Sequence, residues 1–359
     1  MSKPLLFYSE ACLKHQNLSH SDTHPESPLR LQTILKRLYE SKVWQNLPKR
    51  APQPVNKELL FSLHDPSYVQ MLERFCHSAG PGKRIDENTL VSEGSYEAAL
   101  QAAGAATEMV EALLSGESQT AYSLIRPPGH HAMPAHTMGF CLFNNIALAA
   151  RHALNQGLKR ILILDWDAHH GNGTEHLFYQ DPRVLFVSWH QFPNWPGTGA
   201  LEDLGQGAGY GTNVNIPMPL KYGDTEYLRS FQELVVPLAE AYRPELILVS
   251  AGYDAHLADL LTDMNLTAAG FSQLTEEVMK LAHRFCQGKA GFILEGGYNV
   301  TALAASVDGT LQTLIQEQNV KPEEPFQALN CTHDPAELNR LIEKVRMIQP
   351  LLNGKLKLS

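Results

Sequence analysis

The sequence is poor in the features that mark secreted and membrane proteins. Its five cysteines among 359 residues are odd in number and form no C-x-x-C pair, which argues against a disulfide framework and a thiolate zinc cluster. The N-terminus lacks the long apolar core of a signal peptide, and no apolar run approaches membrane-spanning length. We therefore expect a cytoplasmic protein with no membrane partner. The cysteines are Cys12, Cys76, Cys141, Cys286 and Cys331.

Basic residues are also scarce. Lysine and arginine together number 29 against 38 aspartates and glutamates, a formal net charge of −9, and no basic cluster stands out. A surface of this sign repels nucleic acid and anionic lipid, so we expect no nucleic-acid partner. The same charge would suit a cationic substrate. The hydrophobic share of 43% is ordinary for a globular protein.

Short apolar runs alternate with helical patterns, which predicts an α/β fold with a mostly parallel sheet covered by helices on both faces. Strands of such sheets are buried on both sides and therefore form continuous aliphatic runs. The predicted strands are Leu5–Tyr8, Ala121–Ile125, Arg160–Leu164, Val184–Ser188, Leu246–Ser250 and Gly291–Leu294. The predicted helices are Pro28–Tyr39, Ser95–Leu114, Asn145–Ala153, Thr225–Ala241, Thr267–Phe285 and Thr301–Gln316.

No repeat, low-complexity tract or flexible linker divides the chain. The polar, proline-containing stretch Asn319–Pro325 predicts the end of a catalytic domain that spans residues 1–318. Residues 319–359 then form a C-terminal extension with one helix, Pro335–Ile348, which we expect to pack on the same domain. The sequence leaves open whether copies of the chain form a homo-oligomer.

One loop concentrates carboxylates and histidines. Residues 165–173, Asp-Trp-Asp-Ala-His-His-Gly-Asn-Gly, directly follow the predicted strand Arg160–Leu164. In α/β folds, ligands bind at the carboxyl ends of the strands. Asp167 and His169 are two apart, so an extended segment would direct both toward one metal ion and would turn His170 away. A polar turn without a metal is the alternative interpretation.

Four other predicted strands end in loops of similar composition. Because the carboxyl ends of parallel strands meet at one edge of a sheet, five such loops predict an active site at that edge. The four loops are Arg126–Ala132, Trp189–Gly199, Ala251–His256 and Glu295–Asn299.

Asp167, His169 and Asp254 form a candidate metal-ligand set. Three protein ligands leave a coordination position open, which is typical of a catalytic metal site. Without thiolates the set suits Zn²⁺, and Fe²⁺ or another divalent ion stays open. Two close carboxylates repel each other, which a cation relieves. A helix N-cap is the alternative interpretation of Asp254.

His130 and His131 are candidate catalytic residues. They follow Pro127-Pro128-Gly129, a stiff turn that can hold both imidazoles in place. Imidazole titrates near neutral pH, so one ring can take a proton from the attacking water and return it to a leaving amine. Asp165 can accept an N–H bond from one ring and raise its basicity, and Asn172 can orient the other without adding charge.

Aromatic residues in the same loops are candidates for binding the substrate. Tyr298 follows two glycines and can donate its hydroxyl to the oxyanion of a tetrahedral intermediate. Phe140, directly after Gly139, and Trp195 can face each other across a slot for an aliphatic chain. Packing in the core is the alternative interpretation of each ring.

Together these motifs resemble the zinc-dependent histone deacetylase family of the arginase/deacetylase superfamily. They stand in the family's order at about its spacing over roughly residues 5–315, and His24-Pro25-Glu26 with Arg30 fits as well. Asn172 and the run Glu295-Gly296-Gly297 resemble the class II branch and its bacterial relatives. The resemblance implies a single domain built on an eight-stranded, mostly parallel sheet.

The resemblance also implies a role for each candidate. It implies that Asp167, His169 and Asp254 bind zinc and that His131 acts as the general base and acid. It implies that His130, bonded to Asp165, gives electrostatic support and that Tyr298 stabilises the oxyanion. Phe140 and Trp195 would then form the walls of an acyl-lysine channel. It further implies a structural monovalent cation, usually K⁺, held by Asp165, Ser188, the Trp189 carbonyl and the backbone oxygens of Asp167 and His169.

The chain departs from the family pattern at the mouth of the channel. The rim aspartate that grips the substrate backbone in many members falls at Asn88, with Asp86 or Glu87 as substitutes. Trp195 is bulkier than the phenylalanine expected there, and Ala258–Leu261 lacks the usual Asp-Pro-Leu. These differences concern the substrate rather than the reaction.

The sequence therefore predicts a zinc-dependent amidohydrolase that removes an acyl group, most commonly acetyl, from lysine side chains of a peptide or protein and binds hydroxamate inhibitors. A second hypothesis keeps the chemistry with acetylated polyamines or another small acylated amine as substrate. A third, from another class, is a protein that binds acyl-lysine without turnover. An arginase-like hydrolase is disfavoured because two manganese ions need more carboxylates.

Overall fold

The computed structural model describes residues 3–16, 24–315, 322–326 and 334–356. Its strands are β1 Leu5–Tyr8, β2 Lys49–Arg50, β3 Lys83–Arg84, β4 Leu90–Val91, β5 Thr120–Leu124, β6 Ile161–Asp165, β7 Val184–Gln191, β8 Asn213–Met218, β9 Leu246–Ala251 and β10 Ala290–Leu294. Its helices are α1 Pro28–Glu40, α2 Val43–Asn46, α3 Lys57–Phe61, α4 Pro66–His77, α5 Ser95–Leu114, α6 Asn145–Asn155, α7 Asn172–Phe178, α8 Asp224–Ser230, α9 Val236–Tyr242, α10 Ala268–Phe285, α11 Val300–Ile315 and α12 Pro335–Ile348.

The main sheet has eight strands in the order β2-β1-β5-β10-β9-β6-β7-β8. Every pairing within it is parallel. The central strands are completely buried and apolar except for Asp165 and Ser250 near the carboxyl ends of β6 and β9, as expected where helices cover a parallel sheet. The predicted α/β fold with an eight-stranded sheet is therefore confirmed. Strands β3 and β4 form a separate antiparallel hairpin.

Several predicted boundaries differ from the structure. Strand β7 continues to Gln191 because its last residues pair with β8, so Trp189 and His190 lie on the strand and their prediction as loop residues was wrong. Strands β2 and β8 of the main sheet and the hairpin strands β3 and β4 were not predicted. Helix α11 ends within the described residues at Ile315, and the predicted domain boundary at residue 318 lies outside them.

The predicted helix Thr225–Ala241 is interrupted by a π-helical turn at Phe231–Val235, which separates α8 from α9. Pro237 has no N–H to donate to the Glu233 carbonyl one turn earlier. Arg346 of α12 donates to that carbonyl instead, at 3.0 Å. The C-terminal helix therefore supplies a hydrogen bond that the interrupted helix lacks.

Helix α12 has the bounds that the sequence predicts and packs on the same core. Asp334 caps its first turn by accepting from the Ala336 N–H at 2.9 Å. Leu338, Ile342 and Val345 recur along one face and are buried in the main hydrophobic core. No helix in the described part of the chain is long and apolar enough to cross a bilayer.

Candidate active site

The predicted site residues lie at the carboxyl edge of the sheet. Strands β5, β10, β9, β6 and β7 are consecutive neighbours, so the loops that follow them meet there. These loops contribute His130 and His131 after β5, Tyr298 after β10, Asp254 after β9, Asp167 and His169 after β6, and Trp195 after β7.

Asp167, His169 and Asp254 form the group of described residues that can hold a metal ion together. One ligand atom from each lies within 4.8 Å of the other two, and all three residues are buried. His169 Nδ1 lies 2.8 Å from Asp254 Oδ2 and 3.3 Å from Asp167 Oδ1. The structure thus brings the predicted ligand set to one point.

The loop that carries two of these ligands reaches its geometry by bending. Strand β6 ends at Asp165, and the backbone bends through residues 167–169. The His169 N–H donates to Asp167 Oδ1 at 2.9 Å, and the Ala168 N–H donates to Asp254 Oδ1 at 2.7 Å. These bonds bring the ligands together. The sequence analysis grouped Asp167 and His169 because side chains two apart point the same way in an extended segment, but this segment is bent.

Charge and close packing both fit this group to a divalent cation. Burial and, after it, the negative charge of Asp167 raise the pKa of Asp254 to about 7, because the two carboxylates repel. A Cβ on Gly296 would lie 2.5 Å from Asp167 Oδ2 and 2.6 Å from Asp254 Oδ2, and one on Gly252 would overlap Asp167. The glycines therefore admit both carboxylates to one point, where a cation offsets their repulsion. Two carboxylates, one imidazole and an open position suit zinc.

The two histidines have different partners and different charges. His130 Nδ1 lies 3.0 Å from Asp165 Oδ2, and His131 Nδ1 lies 2.8 Å from Asn172 Oδ1. Burial opposes a charge on His130, but the carboxylates of Asp167 and Asp165 outweigh it and raise its pKa to about 10. Burial, and then the positive charge of His130, lowers the pKa of His131 well below its usual value. His131 is therefore the neutral imidazole of the pair.

Asn172 determines which nitrogen of His131 is free. Its amide nitrogen faces the sulfurs of Met138 at 3.2 Å and Met133 at 3.6 Å, and a thioether only accepts hydrogen bonds. The amide oxygen therefore faces His131 and accepts from Nδ1–H. Nε2 of His131 keeps its lone pair, as a general base requires.

Glu295 holds the histidine turn in place, a contact that the sequence analysis missed. Its Oε2 accepts from the Gly129 N–H at 2.6 Å and the His130 N–H at 3.2 Å, and its Oε1 accepts from Ser250 Oγ at 3.1 Å. Burial raises the pKa of this carboxyl to about 7. The only signal in the sequence was a carboxylate directly after an apolar strand.

Tyr298 is fixed by both its backbone and its ring. Its N–H donates to Asp259 Oδ2 at 2.7 Å, and the Arg30 guanidinium lies 5.2 Å from the centre of its ring. Arg30 also donates from Nε to the Gly297 carbonyl at 2.7 Å. Burial, and then the negative charge of Asp167, raises the pKa of Tyr298 well above its usual value. The hydroxyl therefore stays protonated and can donate a hydrogen bond.

A buried ion cluster supports Arg30. Glu26 accepts from Arg30 Nη1 at 3.2 Å and from Arg126 Nη2 at 2.7 Å. Burial opposes ionisation of Glu26, but Arg126 holds the pKa of its carboxyl well below the usual value. The early motif His24-Pro25-Glu26 therefore connects to the Tyr298 loop through Arg30.

The four predicted channel residues all line one cavity of about 270 Å³. The rings of Trp195 and His131 meet edge to face with centroids 4.8 Å apart, and those of Phe140 and Tyr298 with centroids 5.6 Å apart. The complete lining comprises Asn88, His131, Gly139, Phe140, His169, Asn194, Trp195, Leu261 and Tyr298. Asn194 was not predicted, whereas Leu261 belongs to the stretch Ala258–Leu261 that the sequence analysis placed at the channel mouth.

Gly139 is required where the channel wall meets the base. Its φ of +54° is in the left-handed region, and a Cβ there would lie 2.5 Å from both His131 and Trp195. Phe140 follows with a φ of +69°, which is rare for an aromatic residue, and its N–H donates to Thr89 Oγ1 at 3.1 Å. Thr89 is a further residue that the sequence analysis missed.

The sequence analysis placed a departure from the family pattern at the rim, with Asn88 in place of an aspartate, and that comparison stays a prediction. Asn88 lines the cavity. Neither Asp86 nor Glu87 lines the cavity, and Oδ1 of Asp86 accepts from the N–H groups of Asn88 and Thr89 at 2.8 and 2.7 Å. Its Oδ2 accepts from the Thr137 hydroxyl. Both oxygens of Asp86 thus bind within the rim itself.

The residues predicted to hold a monovalent cation lie side by side. Asp165 and Ser188 are directly paired across β6 and β7, and Trp189 follows Ser188. Ser188 Oγ lies 2.9 Å from His190 Nδ1, and Asp165 Oδ1 accepts from the Asp167 N–H at 3.1 Å. The ion itself stays a prediction.

His170 lies outside the metal group. Its Nδ1 lies 2.8 Å from Thr198 Oγ1 and its Nε2 lies 3.2 Å from Glu175 Oε2. Beside it is a larger groove of about 850 Å³ that includes Asn172 but none of the metal ligands. The smaller cavity, which contains the candidate chemistry, is therefore the candidate active site.

Comparison with known proteins decides the family. Residues 24–314 match the histone deacetylase domain. The chain belongs to the histone deacetylase family. The matched region includes the metal group, the histidine pair and the channel, so the family assignment applies to the site as well as to the sheet. Histone deacetylase-family proteins are hydrolases of acetylated substrates and are generally metal-dependent.

Two curated relatives and one solved structure support this assignment. A "Probable deacetylase" of Archaeoglobus fulgidus is 38% identical over 329 residues, which cover 89% of this chain and 90% of that protein. A "Histone deacetylase-like amidohydrolase" of Pseudomonas aeruginosa is 38% identical over 312 residues, which cover 82% of this chain and 81% of that protein. The crystal structure of the HDA15 HD domain superposes with a TM-score of 0.87 at 33% identity, covering 97% of this chain and 94% of that one. The predicted family and fold are confirmed.

Proposed function

We propose that this chain is a zinc-dependent deacylase that hydrolyses the amide bond of acetylated lysine side chains. The observation that carries the proposal is that the metal ligand His169, the neutral imidazole of His131 and the hydroxyl-bearing Tyr298 line the same narrow cavity. Amide hydrolysis needs a Lewis acid, a base and an oxyanion donor around one reacting carbon.

The zinc ligands are Asp167, His169 and Asp254. A zinc ion held by them would supply Lewis acidity for the attack of water on the amide carbonyl. His131 takes the proton of that water on Nε2, since Asn172 holds its Nδ1 proton. The same imidazole then protonates the leaving amine.

Charge is stabilised by residues on either side of His131. His130, bonded to Asp165, carries a positive charge and favours the neutral form of His131 before proton transfer. The protonated hydroxyl of Tyr298 donates a hydrogen bond to the oxyanion as the carbonyl becomes tetrahedral. His130, Asp165 and Asn172 tune the base, and Tyr298 acts on the substrate.

The channel mouth favours acyl-lysine in a peptide over an acylated polyamine. No described residue that lines the cavity is a carboxylate, so a polyamine's second ammonium group finds no counter-charge there. Exposed leucines lie beside the mouth, with Leu260 69% and Leu261 40% accessible, and Glu87, next to the lining residue Asn88, is exposed as well. The two leucines suit uncharged neighbours of the acyl-lysine in a peptide.

The test of the substrate is a comparison of two amides. The zinc-loaded protein is given an acetyl-lysine peptide and N-acetylputrescine, and acetate release is measured. We expect the higher kcat/KM for the peptide. A higher value for acetylputrescine would favour the small acylated amine instead. Tight binding of the peptide without turnover would favour the non-catalytic binding protein.

The test of the mechanism uses substitutions in two loops of the site. Asp167→Ala is expected to abolish zinc binding and turnover, whereas His131→Ala is expected to abolish turnover and retain zinc. His136→Ala, which replaces an exposed histidine near His131, serves as the control with unchanged turnover. Full turnover in both Asp167→Ala and His131→Ala would contradict the mechanism.

Three further properties belong to this proposal. A hydroxamate inhibits the enzyme by competing with the acyl-lysine. K⁺ binds at Asp165, Ser188 and the Trp189 carbonyl. The protein acts in the cytoplasm. The K⁺ site is tested by thermal melting in KCl and in choline chloride of equal ionic strength. We expect a higher Tm in KCl, and equal Tm values would contradict the K⁺ site.

A further inference from the structure

The loop after β9 carries a carboxylate to which neither the sequence nor the reaction gave a role. Asp259 follows the metal ligand Asp254 by five residues and precedes Leu261, which lines the channel mouth, by two. The loop therefore passes from the metal group to the channel mouth. Asp259 lies between these two points.

Asp259 accepts hydrogen bonds from two different loops of the active site. Its Oδ2 accepts from the Tyr298 N–H at 2.7 Å and from the Asn299 N–H at 3.2 Å. Its Oδ1 accepts from the Leu261 N–H at 3.0 Å. Both carboxylate oxygens are thus bonded, one to the loop that carries the oxyanion donor and the other to the channel mouth.

A second bond joins the same two loops beside Asp259. Asn299 Nδ2 donates to the Ala258 carbonyl at 2.9 Å, and Asn299 Oδ1 accepts from the N–H groups of Thr301 and Ala302 at the start of α11. The Tyr298 backbone is therefore connected to the first turn of a long buried helix on one side and to the mouth loop on the other. Asp259 is the only charged group among these contacts.

We propose that Asp259 is a positioning residue, which acts through the Tyr298 backbone to hold the oxyanion-donating hydroxyl in place and couples it to Leu261 at the channel mouth. The proposal rests on the proposed deacylase function. A peptide bond fixed at 2.7 Å from a carboxylate directs the Cα–Cβ bond of Tyr298 and hence the position of its hydroxyl. Small displacements of such a group are expensive, since a shift of about 1 Å can reduce the rate on the order of a hundredfold.

The variant Asp259→Asn isolates this role at almost constant volume. An amide has one accepting oxygen and one donating nitrogen. In either orientation its NH₂ group therefore faces an N–H of Leu261 or of Tyr298, and one loop loses its bond. Asp263→Asn is the matched control, because Asp263 lies in the same loop, is exposed and binds only Lys221 through its carboxylate among the described contacts, at 3.1 Å.

The decisive readout is a double-mutant cycle on acetyl-lysine peptide turnover with zinc-loaded protein. Tyr298→Phe alone is expected to reduce kcat roughly a hundredfold or more, the effect of removing one oxyanion donor. Asp259→Asn is expected to reduce kcat roughly tenfold with KM and zinc content unchanged. In the Tyr298→Phe background, Asp259→Asn is expected to reduce kcat less than twofold further, because the hydroxyl it positions is gone.

Full additivity in this cycle would overturn the proposal, because a general structural effect of Asp259 would not depend on the Tyr298 hydroxyl. An unchanged kcat in Asp259→Asn would overturn it as well. Amide hydrogen exchange of Asp259→Asn and wild type provides a readout that needs no turnover. Faster exchange is expected in the peptide containing Tyr298 and Asn299, with residues 165–173 and the Asp263→Asn control unchanged.

These two readouts separate the inference from the proposed function. If the wild-type protein releases no acetate from any acyl-lysine peptide, the proposed function fails. Hydrogen exchange then still tests whether Asp259 holds the Tyr298 loop. If exchange at Tyr298 and Asn299 does not change in Asp259→Asn, the positioning role fails whatever the enzyme's activity.

Discussion

Single residues determine how closely the catalytic groups approach one another. Gly139 shows this most clearly, because its backbone is left-handed and a Cβ would lie 2.5 Å from both the base and the channel wall. A side chain here must move either His131 or Trp195. Neither group can move far, since both are packed against other rings of the site.

We therefore expect Gly139→Ala to reduce kcat/KM by roughly tenfold to a hundredfold while leaving zinc content unchanged. The matched control is Gly80→Ala. Gly80 has a similar φ of +59°, and a Cβ there meets nothing within 4 Å. The Gly80→Ala variant therefore has similar backbone strain but no steric contact of the new Cβ with a neighbouring residue. Equal activity of the two variants on the acetyl-lysine peptide would show that contact with His131 is unimportant.

Asn172 gives a prediction with a definite sign in pH. In the wild type, burial and the charge of His130 hold the pKa of His131 well below its usual value. Asn172→Asp places a negative charge beside Nδ1, which favours the protonated imidazole and raises the pKa of His131. Because a general base must be deprotonated, the acidic limb of the kcat/KM profile should move to higher pH. An unchanged limb would contradict the assignment of His131 as the base.

The sequence was informative for residues whose chemistry is unusual and uninformative for residues that act through the backbone. Asp167, His169 and Asp254 could be grouped because two carboxylates and an imidazole at strand ends suit few other purposes. Glu295 and Asp259 could not be assigned, because they bind N–H groups of other loops. Any carboxylate can accept such bonds, so only the fold identifies which ones do.

At the scale of elements, the interrupted helix α8–α9 depends on the C-terminal helix. Pro237 leaves the Glu233 carbonyl without its helical donor, and Arg346 of α12 donates in its place at 3.0 Å. We expect Arg346→Ala to lower the free energy of unfolding by about 1 kcal/mol, the usual contribution of one such bond. Arg346 also lies 3.4 Å from the Glu233 carboxylate, but that contact is exposed and contributes little.

The control for this prediction is Met347→Ala in the same helix, because Met347 is 73% exposed. Urea denaturation of the two variants and the wild type measures the difference. Equal midpoints for Arg346→Ala and Met347→Ala would contradict the role of Arg346. Acetyl-lysine turnover should be unaffected in both, since α12 contributes no residue to the cavity lining.

The strands that were missed lack the pattern from which strands are predicted. Strand β8 contains Asn213, Asn215 and Pro217, so it has no continuous apolar run. Its asparagines instead donate to Glu175, at 2.7 and 2.8 Å, a partner 38 and 40 residues earlier in the chain. Strand β2 has only two residues. Tertiary pairing, not local sequence, makes both segments strands.

At the scale of the whole molecule, buried histidines connect stability to pH. His64 joins three segments: its Nδ1 donates to the Met133 carbonyl at 3.1 Å, and its Nε2 accepts from the N–H of Asn144, the N-cap of α6, at 3.0 Å. A proton added to Nε2 would point toward the Asn144 N–H, so two donors would face each other. Burial lowers the pKa of His64 to about 4.

The unfolded chain, in which His64 titrates near pH 6.5, then binds more protons than the folded one between about pH 6.5 and pH 4. The contribution of neutral His64 to stability is therefore present above that pH window. As the pH falls through the window, the free energy of unfolding decreases on this account by at most about 3 kcal/mol. We expect the free energy of unfolding of His64→Gln to fall less steeply between pH 6.5 and 4.5 than that of the wild type. Parallel pH profiles in urea denaturation would contradict the prediction.

The order of strands in the sheet could not be derived from the residues themselves. The pattern of apolar runs predicted parallel strands, but it did not show that β10 lies between β9 and the much earlier strand β5. That arrangement brings Tyr298 beside the histidine pair and the metal group. The resemblance to the histone deacetylase family implied an eight-stranded, mostly parallel sheet, and the strand order came only from the structure.

The central claim is that Asp167, His169 and Asp254 hold one catalytic zinc ion that the deacylation requires. The most direct test is a zinc titration of chelator-stripped protein, with acetate release from an acetyl-lysine peptide as the readout. The account predicts no activity at the start, a linear rise to about one equivalent of zinc per chain and a plateau beyond it. Asp254→Asn should stay inactive throughout. Full activity in the stripped protein, or recovery of Asp254→Asn along the wild-type curve, would contradict the account.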